Sequence, residues 1–171
     1  NNQPLGGFKP SYSKVATGSI AVIPYLVIFA ALVGVYMWFL YNKTRHGKYM
    51  YAIGGNEAAA EVAGVNVYAT KIRIYILASC MFGLAGCLLA AKSGGASVNT
   101  AMGYELDAIA AVALGGTSMS GGRGKITGTI AGVLIIAVLN NGLNIMNVSS
   151  YYQEVIKAVV ILVAVLSDRK R

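Results

Sequence analysis

Two Gly-Lys pairs, Gly47-Lys48 and Gly124-Lys125, are the first features of this sequence that could carry chemistry. A phosphate-binding loop places a glycine five residues before such a pair and a serine or threonine directly after it. The backbone there cradles the phosphates, and the hydroxyl binds the metal. Asn42 and Met119 occupy the positions of that first glycine, and neither pair is followed by a hydroxyl residue. The sequence therefore predicts that this chain does not hydrolyse ATP alone.

The histidine and the cysteines do not indicate a catalytic or metal site. His46 is the single histidine and stands among cations in a loop, where we expect a surface residue rather than a general base or a ligand. A Ser-His-Asp arrangement would need it buried beside an acid. Cys80 and Cys87 would lie about 10 Å apart along one helix, which is too far for a disulfide. We expect two free thiols and no metal site.

Four polar residues beside or within apolar stretches are more informative. A charge at the centre of a bilayer costs about 3 kcal/mol on insertion scales, so acids there face a bundle interior or a cavity. Glu105 and Asp107 either do this or lie at the outer interface and cap a short helix. Asn140 and Asn144 share one helix face. All four are candidates for a translocation pathway or for helix packing.

The composition indicates the environment of the chain. Of 171 residues, 56% are hydrophobic and 12% are charged, whereas a soluble domain carries about 25% charged residues. So few charges cannot cover a globule, and lipid must face much of the chain. The net charge of +8 would suggest nucleic acid in a soluble protein. Here the cations cluster at the ends of apolar runs, as membrane orientation signals do, and nucleic-acid binding is not expected.

Five apolar runs predict an all-α, polytopic transmembrane bundle that forms a single membrane domain over residues 1–171. The third run is too short to span a bilayer alone, so we expect a short or broken helix buried against other helices. Gly128 and Gly132 form a GxxxG pair for close helix contact, and Ser79, Gly83 and Cys87 form a similar stripe. The five runs are residues 20–41, 74–91, 108–116, 126–146 and 151–167.

The distribution of basic residues predicts which loops of the bundle are cytoplasmic. If residues 42–73 form a cytoplasmic loop, five crossings place ten of the 14 basic residues inside, including Arg123, Lys125 and the C-terminal three. Residues 1–19 then form a polar outer segment, and Glu154 pairs with Lys157 near the outer surface. If residues 108–116 re-enter instead, the last two basic clusters move outside, so the positive-inside rule favours a short crossing and a cytoplasmic C-terminus.

A short helix is predicted inside the cytoplasmic loop, over residues 56–64. Asn56 suits the N-cap, Glu57 complements the helix dipole, and Gly64 suits the end. A helix of about two turns is unstable alone in water. We therefore expect it to lie on a partner surface or on the membrane bundle.

Several long motifs closely resemble the permeases of simple-sugar ABC transporters, of the ribose, galactose and xylose type. Tyr-Met-Tyr-Ala-Ile-Gly-Gly-Asn-Glu-Ala-Ala at residues 49–59, followed by Gly-Val-Asn-Val at 64–67, is similar to their cytoplasmic loop. Residues 103–111, 114–118, 120–124 and 140–144 extend the match. The resemblance covers the chain from about Pro24 to the tail, and it matches the C-terminal half of such a permease.

The resemblance implies a multi-pass subunit of a bacterial inner-membrane importer of a simple sugar, with alternating access driven by a separate ATPase. Its implied partners are a second permease copy, a cytoplasmic ABC ATPase and a periplasmic sugar-binding protein. No cofactor is expected in this chain, since the ATPase would bind ATP and magnesium. The short helix would be the coupling helix that docks in the ATPase, and its residues would be Gly55, Asn56, Glu57, Ala58, Ala59, Glu61 and Gly64.

Three rival interpretations remain open at the level of sequence. A channel or secondary transporter would use intramembrane charges or broken helices, of which residues 105–116 give weak hints. A membrane enzyme would need a paired nucleophile and base, and the sequence suggests none. A structural fragment without function is the third interpretation. The sequence does not identify the sugar.

Overall fold

The computed structural model describes residues 5–20, 22–97 and 99–168, and most of these residues are helical. The predicted all-α membrane class is confirmed, with four two-residue strands as the remaining regular elements of the described chain. The strands are β1 (Leu5–Gly6), β2 (Ser19–Ile20), β3 (Ile23–Pro24) and β4 (Gly95–Ala96). The helices are α1 (Pro10–Thr17), α2 (Tyr25–Lys43), α3 (Arg45–Gly55), α4 (Glu57–Val62), α5 (Val67–Ser93), α6 (Tyr104–Leu114), α7 (Ile126–Ile145) and α8 (Ser150–Asp168).

The described residues form two compact units. The first contains residues up to 50 together with 64–101, and the second contains 51–63 together with the residues from 102 onward. The first unit holds α1, α2, the first part of α3, all of α5 and all four strands. The second holds the last turn of α3, the short helix α4, and α6 to α8. The prediction of a single membrane domain stays a prediction.

In the first unit, the segment predicted to be polar and outer forms helix α1. It packs against α5 and α2, and the Tyr12 hydroxyl donates a hydrogen bond of 2.7 Å to the carbonyl of Cys87. Strand β1 pairs antiparallel with β4, with Leu5 opposite Ala96. With residues 42–73 inside, the predicted topology puts both paired segments outside, because one precedes the first apolar run and the other follows the second. Residues 1–4 of the predicted outer segment lie outside the described residues.

The first apolar run begins its helix later than predicted. Residue 20 was expected to open the helix, but β2 and β3 form a hairpin that ends at Pro24. Pro24 is the N-cap of α2, with φ −61° and ψ 142°. Proline lacks the N–H group that an earlier start would require, so the helix starts at Tyr25.

The predicted loop 42–73 is largely helical, which corrects its interpretation as a loop. Thr44 separates α2 from α3 and accepts a hydrogen bond at its hydroxyl from the Gly47 N–H, at 3.1 Å. This is the N-cap arrangement. Gly47 is buried, and a Cβ atom built on it would overlap the carbonyl oxygens of Leu40 and Tyr41. The glycines and cations of this stretch hid the helix because they interrupt the hydrophobic pattern.

Helix α5 also begins earlier than predicted, at Val67 instead of residue 74. The Asn66 side chain accepts a hydrogen bond from the Ala69 N–H at 2.9 Å and caps the helix. Lys71 and Arg73 ended the apolar run in the sequence, yet a helix longer than the bilayer can carry such residues beyond the lipid. Gly94, with φ +64°, terminates α5 in the left-handed region.

The second unit is a bundle in which α6 lies between α7 and α8. Its core contains Ala110, Ala111 and Ile136, with Leu114, Val160 and Ile161 packed against them. Asp107 contacts Asn140 while Ala111 contacts Gly132, so α6 and α7 are antiparallel. The contacts of α6 with α8 run in the same order along both helices, so these two are parallel.

Three of the described helices are long and apolar enough to cross a membrane by length and composition: α2, α5 and α7. No residue of α2 is buried, and large apolar side chains such as Leu32 and Val35 are exposed. An outward apolar surface of this extent requires lipid or protein to cover it. The chain is therefore a membrane protein. Helix α6, with 11 residues, is about 16 Å long.

Candidate functional site: the coupling helix and the contacts of its bundle

Helix α4 has the predicted start and end. The Asn56 side chain accepts a hydrogen bond from the Ala59 N–H at 3.0 Å, which satisfies a donor of the first turn. Glu57 lies in that turn, where a negative charge complements the helix dipole. Ala63 is the C-cap, and its N–H bonds to the Ala59 carbonyl. Gly64 follows with φ +83°, the left-handed position that favours glycine.

Only one side of α4 is buried. Ala60, which was not among the predicted coupling residues, is buried, whereas all seven predicted coupling residues are exposed and Val62 is 91% exposed. The helix therefore rests on the protein through Ala60, as its expected instability in isolation required. The exposed set is Gly55, Asn56, Glu57, Ala58, Ala59, Glu61 and Gly64.

The chain just before α4 contacts the glycine-rich loop that leads into α7. A Cβ atom on Gly54 would lie 2.6 Å from the backbone nitrogen of Gly122, and one on Gly122 would lie 2.7 Å from the Cα of Gly55. A Cβ on Gly121 would lie 2.5 Å from the Gly54 carbonyl oxygen. Backbone meets backbone at all three places, so no larger residue fits. We call this contact of Gly54 and Gly55 with Gly121 and Gly122 the glycine joint.

A side-chain hydrogen bond accompanies the glycine joint. The Tyr51 hydroxyl donates to the carbonyl of Gly124 at 2.9 Å. Tyr51 lies one turn before Gly54 on α3, and Gly124 lies two residues after Gly122. Two segments that the charge distribution assigned to the same side of the membrane therefore meet in the structure.

Glycines also bring α6 and α7 together at the end that carries this loop. A Cβ atom on Gly132 would overlap the carbonyl oxygen of Ala111, and one on Gly128 would overlap that of Gly115. The predicted GxxxG pair is thus a close helix contact within this chain. The small-residue stripe of α5 differs, because nothing lies within 4 Å of a Cβ atom built on Gly83 or Gly86.

At the opposite end of the bundle, polar side chains join the three helices. The Lys157 ammonium on α8 lies 2.7 Å from Oδ1 of Asp107 on α6. Nδ2 of Asn140 on α7 donates to the other carboxylate oxygen of Asp107 at 3.0 Å. The predicted pairing of Lys157 with Glu154 is wrong, because α8 turns Lys157 toward α6 while Glu154 is exposed.

The remaining predicted polar residues have simpler surroundings. Oδ1 of Asn144 accepts a hydrogen bond of 3.0 Å from Gln153 on α8, so both predicted asparagines bond to neighbouring helices. Glu105 lies exposed in the first turn of α6, where its charge suits the helix dipole. Neither Glu105 nor Asp107 caps α6 with its side chain, since Gly103 is the N-cap without a side-chain bond.

The structure adds site residues that sequence reasoning missed. Lys157 and Gln153 were not assigned to the polar contacts, although both lie on the first turns of α8, at the level of the asparagines. Tyr51 was quoted only as part of a motif. His46 is not the surface residue expected, because it is half-buried and its Nδ1 atom is buried without a hydrogen-bond partner among the described residues. Cys80 and Cys87 are free thiols, as predicted.

Comparison with known proteins places this arrangement in a family. A family model described as "Branched-chain amino acid transport system / permease component" matches residues 1–165. The ribose import permease protein RbsC of Bacillus subtilis is 49% identical over 173 residues, covering 100% of this chain and 54% of that protein. RbsC of Escherichia coli K12 is 50% identical over 149 residues, covering 87% of this chain and 46% of that protein.

A third relative carries a different sugar in its name. The galactose/methyl galactoside import permease protein MglC of Haemophilus influenzae is 42% identical over 169 residues, covering 96% of this chain and 50% of that protein. The chain spans about half of the length of these relatives. No solved structure matches the chain significantly. Since the family model matches nearly all of the chain, the protein belongs to the family of branched-chain amino acid transport system permease components.

Proposed function

We propose that this chain is part of the membrane subunit of an ABC importer that moves a simple sugar across a bacterial inner membrane. A separate ATPase drives alternating access and binds the ATP and magnesium, a second permease copy completes the membrane channel, and a periplasmic protein delivers the sugar. The relatives named as ribose and galactose import permeases support the substrate class. The chain acts as a permease and carries out no catalysis of its own.

Helix α4 is the observation that carries this proposal. It is short, capped and buried only at Ala60, so it presents seven coupling residues and Val62 outward. Two exposed carboxylates, those of Glu57 and Glu61, stand among small alanines. A small, stiff and exposed helix attached to a membrane bundle suits insertion into a groove of a partner protein. The partner is the cytoplasmic ATPase.

The arrangement of the second unit supports the proposed sidedness. Helix α6 follows α7 from Gly128 to Asn140, which is about 18 Å along the axis, so α6 runs beside more than half of the length of α7. We therefore favour a short crossing by residues 108–116 over a re-entrant segment. A short crossing puts the glycine joint and α4 on the cytoplasmic side, and the contacts of Asp107 with Asn140 and Lys157 at the outer end. It also gives a cytoplasmic C-terminus, whose residues 169–171 lie outside the described residues.

The polar residues of the outer end have a packing role in this proposal. Asp107, Asn140 and Asn144 each bond to a neighbouring helix of the bundle. Glu105 is exposed, has no such bond among the described contacts, and stands at the outer mouth. Cysteine labelling at positions 140 and 144 tests this assignment. Labelling that changes with nucleotide would instead assign the two asparagines to the sugar pathway.

Transport measurements test the function directly. The permease is reconstituted in proteoliposomes with the ATPase and the binding protein of the proposed importer, and uptake of labelled ribose and galactose is measured. We expect uptake of at least one sugar that depends on ATP and on the binding protein. Equal uptake without any ATPase would contradict the proposal and favour a channel or a secondary transporter.

The docking of α4 has a matched pair of variants. Val62 and Val22 are each 91% exposed, but Val62 ends α4 and Val22 lies in the hairpin before α2. We expect Val62→Glu to abolish copurification of the ATPase, because a charge would be buried in its groove without a partner. Val22→Glu should leave copurification unchanged. Equal copurification of both variants would show that α4 is not the docking helix.

A further inference from the structure

We infer that the glycine joint transmits ATPase movement from α4 to α7, so that α4, the loop of residues 116–125 and the start of α7 move as one body. The inference rests on the proposed function and deepens it. It assigns a positioning role to Gly54, Gly121 and Gly122, and it identifies the membrane helix that the coupling helix moves.

A contact between two backbones transmits displacement better than a contact between flexible side chains. At the glycine joint, a Cβ atom built on Gly54 would lie 2.6 Å from the nitrogen of Gly122. One built on Gly121 would lie 2.5 Å from the carbonyl oxygen of Gly54. These separations leave no space for sliding, since interiors and close contacts are not continuously deformable. The Tyr51 to Gly124 hydrogen bond provides a second attachment one turn earlier on α3.

The loop on the other side of the joint is closed by its own hydrogen bonds. The Ser118 N–H donates to the carbonyl of Arg123 at 3.0 Å, and the Gly121 N–H donates to the carbonyl of Ser118 at 3.2 Å. Gly121 and Gly122 have φ of +91° and +71°, so both require glycine for the turn as well as for the contact. A loop held at its base moves as a unit instead of absorbing the displacement.

The loop continues directly into α7, so the contacts connect α4 with a membrane helix. Ile126 begins α7 two residues after Gly124, and Gly128 in its first turn meets the backbone of Gly115. A displacement of α4 therefore reaches α7 and, through Gly115, the end of α6. Helix α7 carries Asn140 at the polar end of the bundle, so movement at the joint extends to the Asp107 contacts.

Distance measurements on the assembled complex test the inference. Spin labels are placed at Ala63, the exposed C-cap of α4 outside the set of coupling residues, and at the exposed Met119, in one permease copy whose Cys80 and Cys87 are replaced by serine. The distance between the labels is measured in the ATP-bound and nucleotide-free complexes. If α4 and the loop form one body, this distance stays constant within about 2 Å, the scale of small helix shifts.

Substitutions provide a second, functional measurement. Gly54→Ala and Gly122→Ala should keep ATPase copurification but lower sugar uptake per ATP hydrolysed by about tenfold, a typical magnitude for coupling between two sites. Gly34→Ala in α2 is the control, because nothing lies within 4 Å of the added methyl group. It should retain the wild-type ratio of uptake to hydrolysis.

The outcomes separate the inference from the proposed function. A constant label distance together with uncoupled Gly54 and Gly122 variants supports the inference. If the ATPase binds but the label distance changes with nucleotide, the inference is overturned. A wild-type ratio of uptake to hydrolysis in both glycine variants would also overturn it. If the wild-type permease neither binds nor stimulates the ATPase, the proposed function itself fails, and the inference fails with it.

Discussion

The bundle of α6, α7 and α8 is held at its two ends by different kinds of contact. At one end, which we call the glycine end, Gly115, Gly128 and Gly132 bring α6 and α7 into backbone contact. At the other, the polar end, Asp107 bonds to Asn140 and Lys157. The first contact depends on the absence of side chains, and the second depends on particular side-chain groups.

This difference matters because lipid gives little hydrophobic driving force for helix association. Small residues permit close van der Waals packing, and polar groups supply hydrogen bonds between helices. Packing of backbones is rigid and does not tolerate an added methyl group. A polar contact can exchange partners or water, so it tolerates small shifts. The glycine end is therefore suited to transmit movement, and the polar end is suited to hold the helices together while it occurs.

The largest expected effect comes from filling the glycine end. Gly132→Ala places a methyl group on the carbonyl oxygen of Ala111. Since backbone cannot rotate away, we expect a loss of about 3 kcal/mol or more in stability. Thermal unfolding of the purified permease in detergent measures this loss. A midpoint equal to that of the wild type would show that α6 and α7 are not in backbone contact.

Gly142→Ala on the same helix is the matched control for this variant. Nothing lies within 4 Å of a Cβ atom at Gly142. Alanine favours the helix over glycine by roughly 0.5–1 kcal/mol, so the control should be neutral or slightly stabilising. Opposite signs for the same substitution at two positions of α7 would isolate the steric effect.

Breaking the polar end should have the next largest effect. Lys157→Met removes the cation from Asp107, whose side chain is 23% exposed. Because the carboxylate is then left half-buried and uncompensated, we expect a loss of about 2 kcal/mol, less than for a fully buried pair. The same unfolding measurement applies. The double variant Asp107→Asn, Lys157→Met should lose less than Lys157→Met alone, and an additive loss would contradict the ion pair.

The sequence predicted the parts of this fold that have a local cause. Asn56 and Gly64 predicted the ends of α4 because capping needs only neighbouring residues. The GxxxG pair predicted close packing, but its partner was unknown. The partner of Lys157 was misjudged, because Glu154 is one turn away in sequence while Asp107 is brought near only by the packing of α8 on α6.

The missed elements have physical reasons as well. Helix α3 was interpreted as a loop since its three glycines and its cations weaken the hydrophobic pattern, and its cap at Thr44 was overlooked. The glycine joint could not be predicted from sequence. Glycine at positions 54, 121 and 122 is equally compatible with flexible turns, and only the tertiary contact shows that the missing side chains are required.

The smallest expected loss of stability comes from removing the Asn140 hydrogen bond at the polar end while keeping the ion pair of Asp107 with Lys157. Asn140→Leu removes the bond to Oδ2 of Asp107 but leaves Lys157 in place. We expect a loss of about 1 kcal/mol, typical of one hydrogen bond, in the same thermal unfolding measurement. Asn141→Leu is the control, because Asn141 is the adjacent exposed asparagine, and its effect should stay within about 0.5 kcal/mol. If both variants lose equally, the Asn140 bond contributes nothing, and helix propensity does not explain the loss because leucine is the better helix former. If Asn140→Leu alone loses stability and sugar uptake persists, Asn140 joins the helices without lining the pathway.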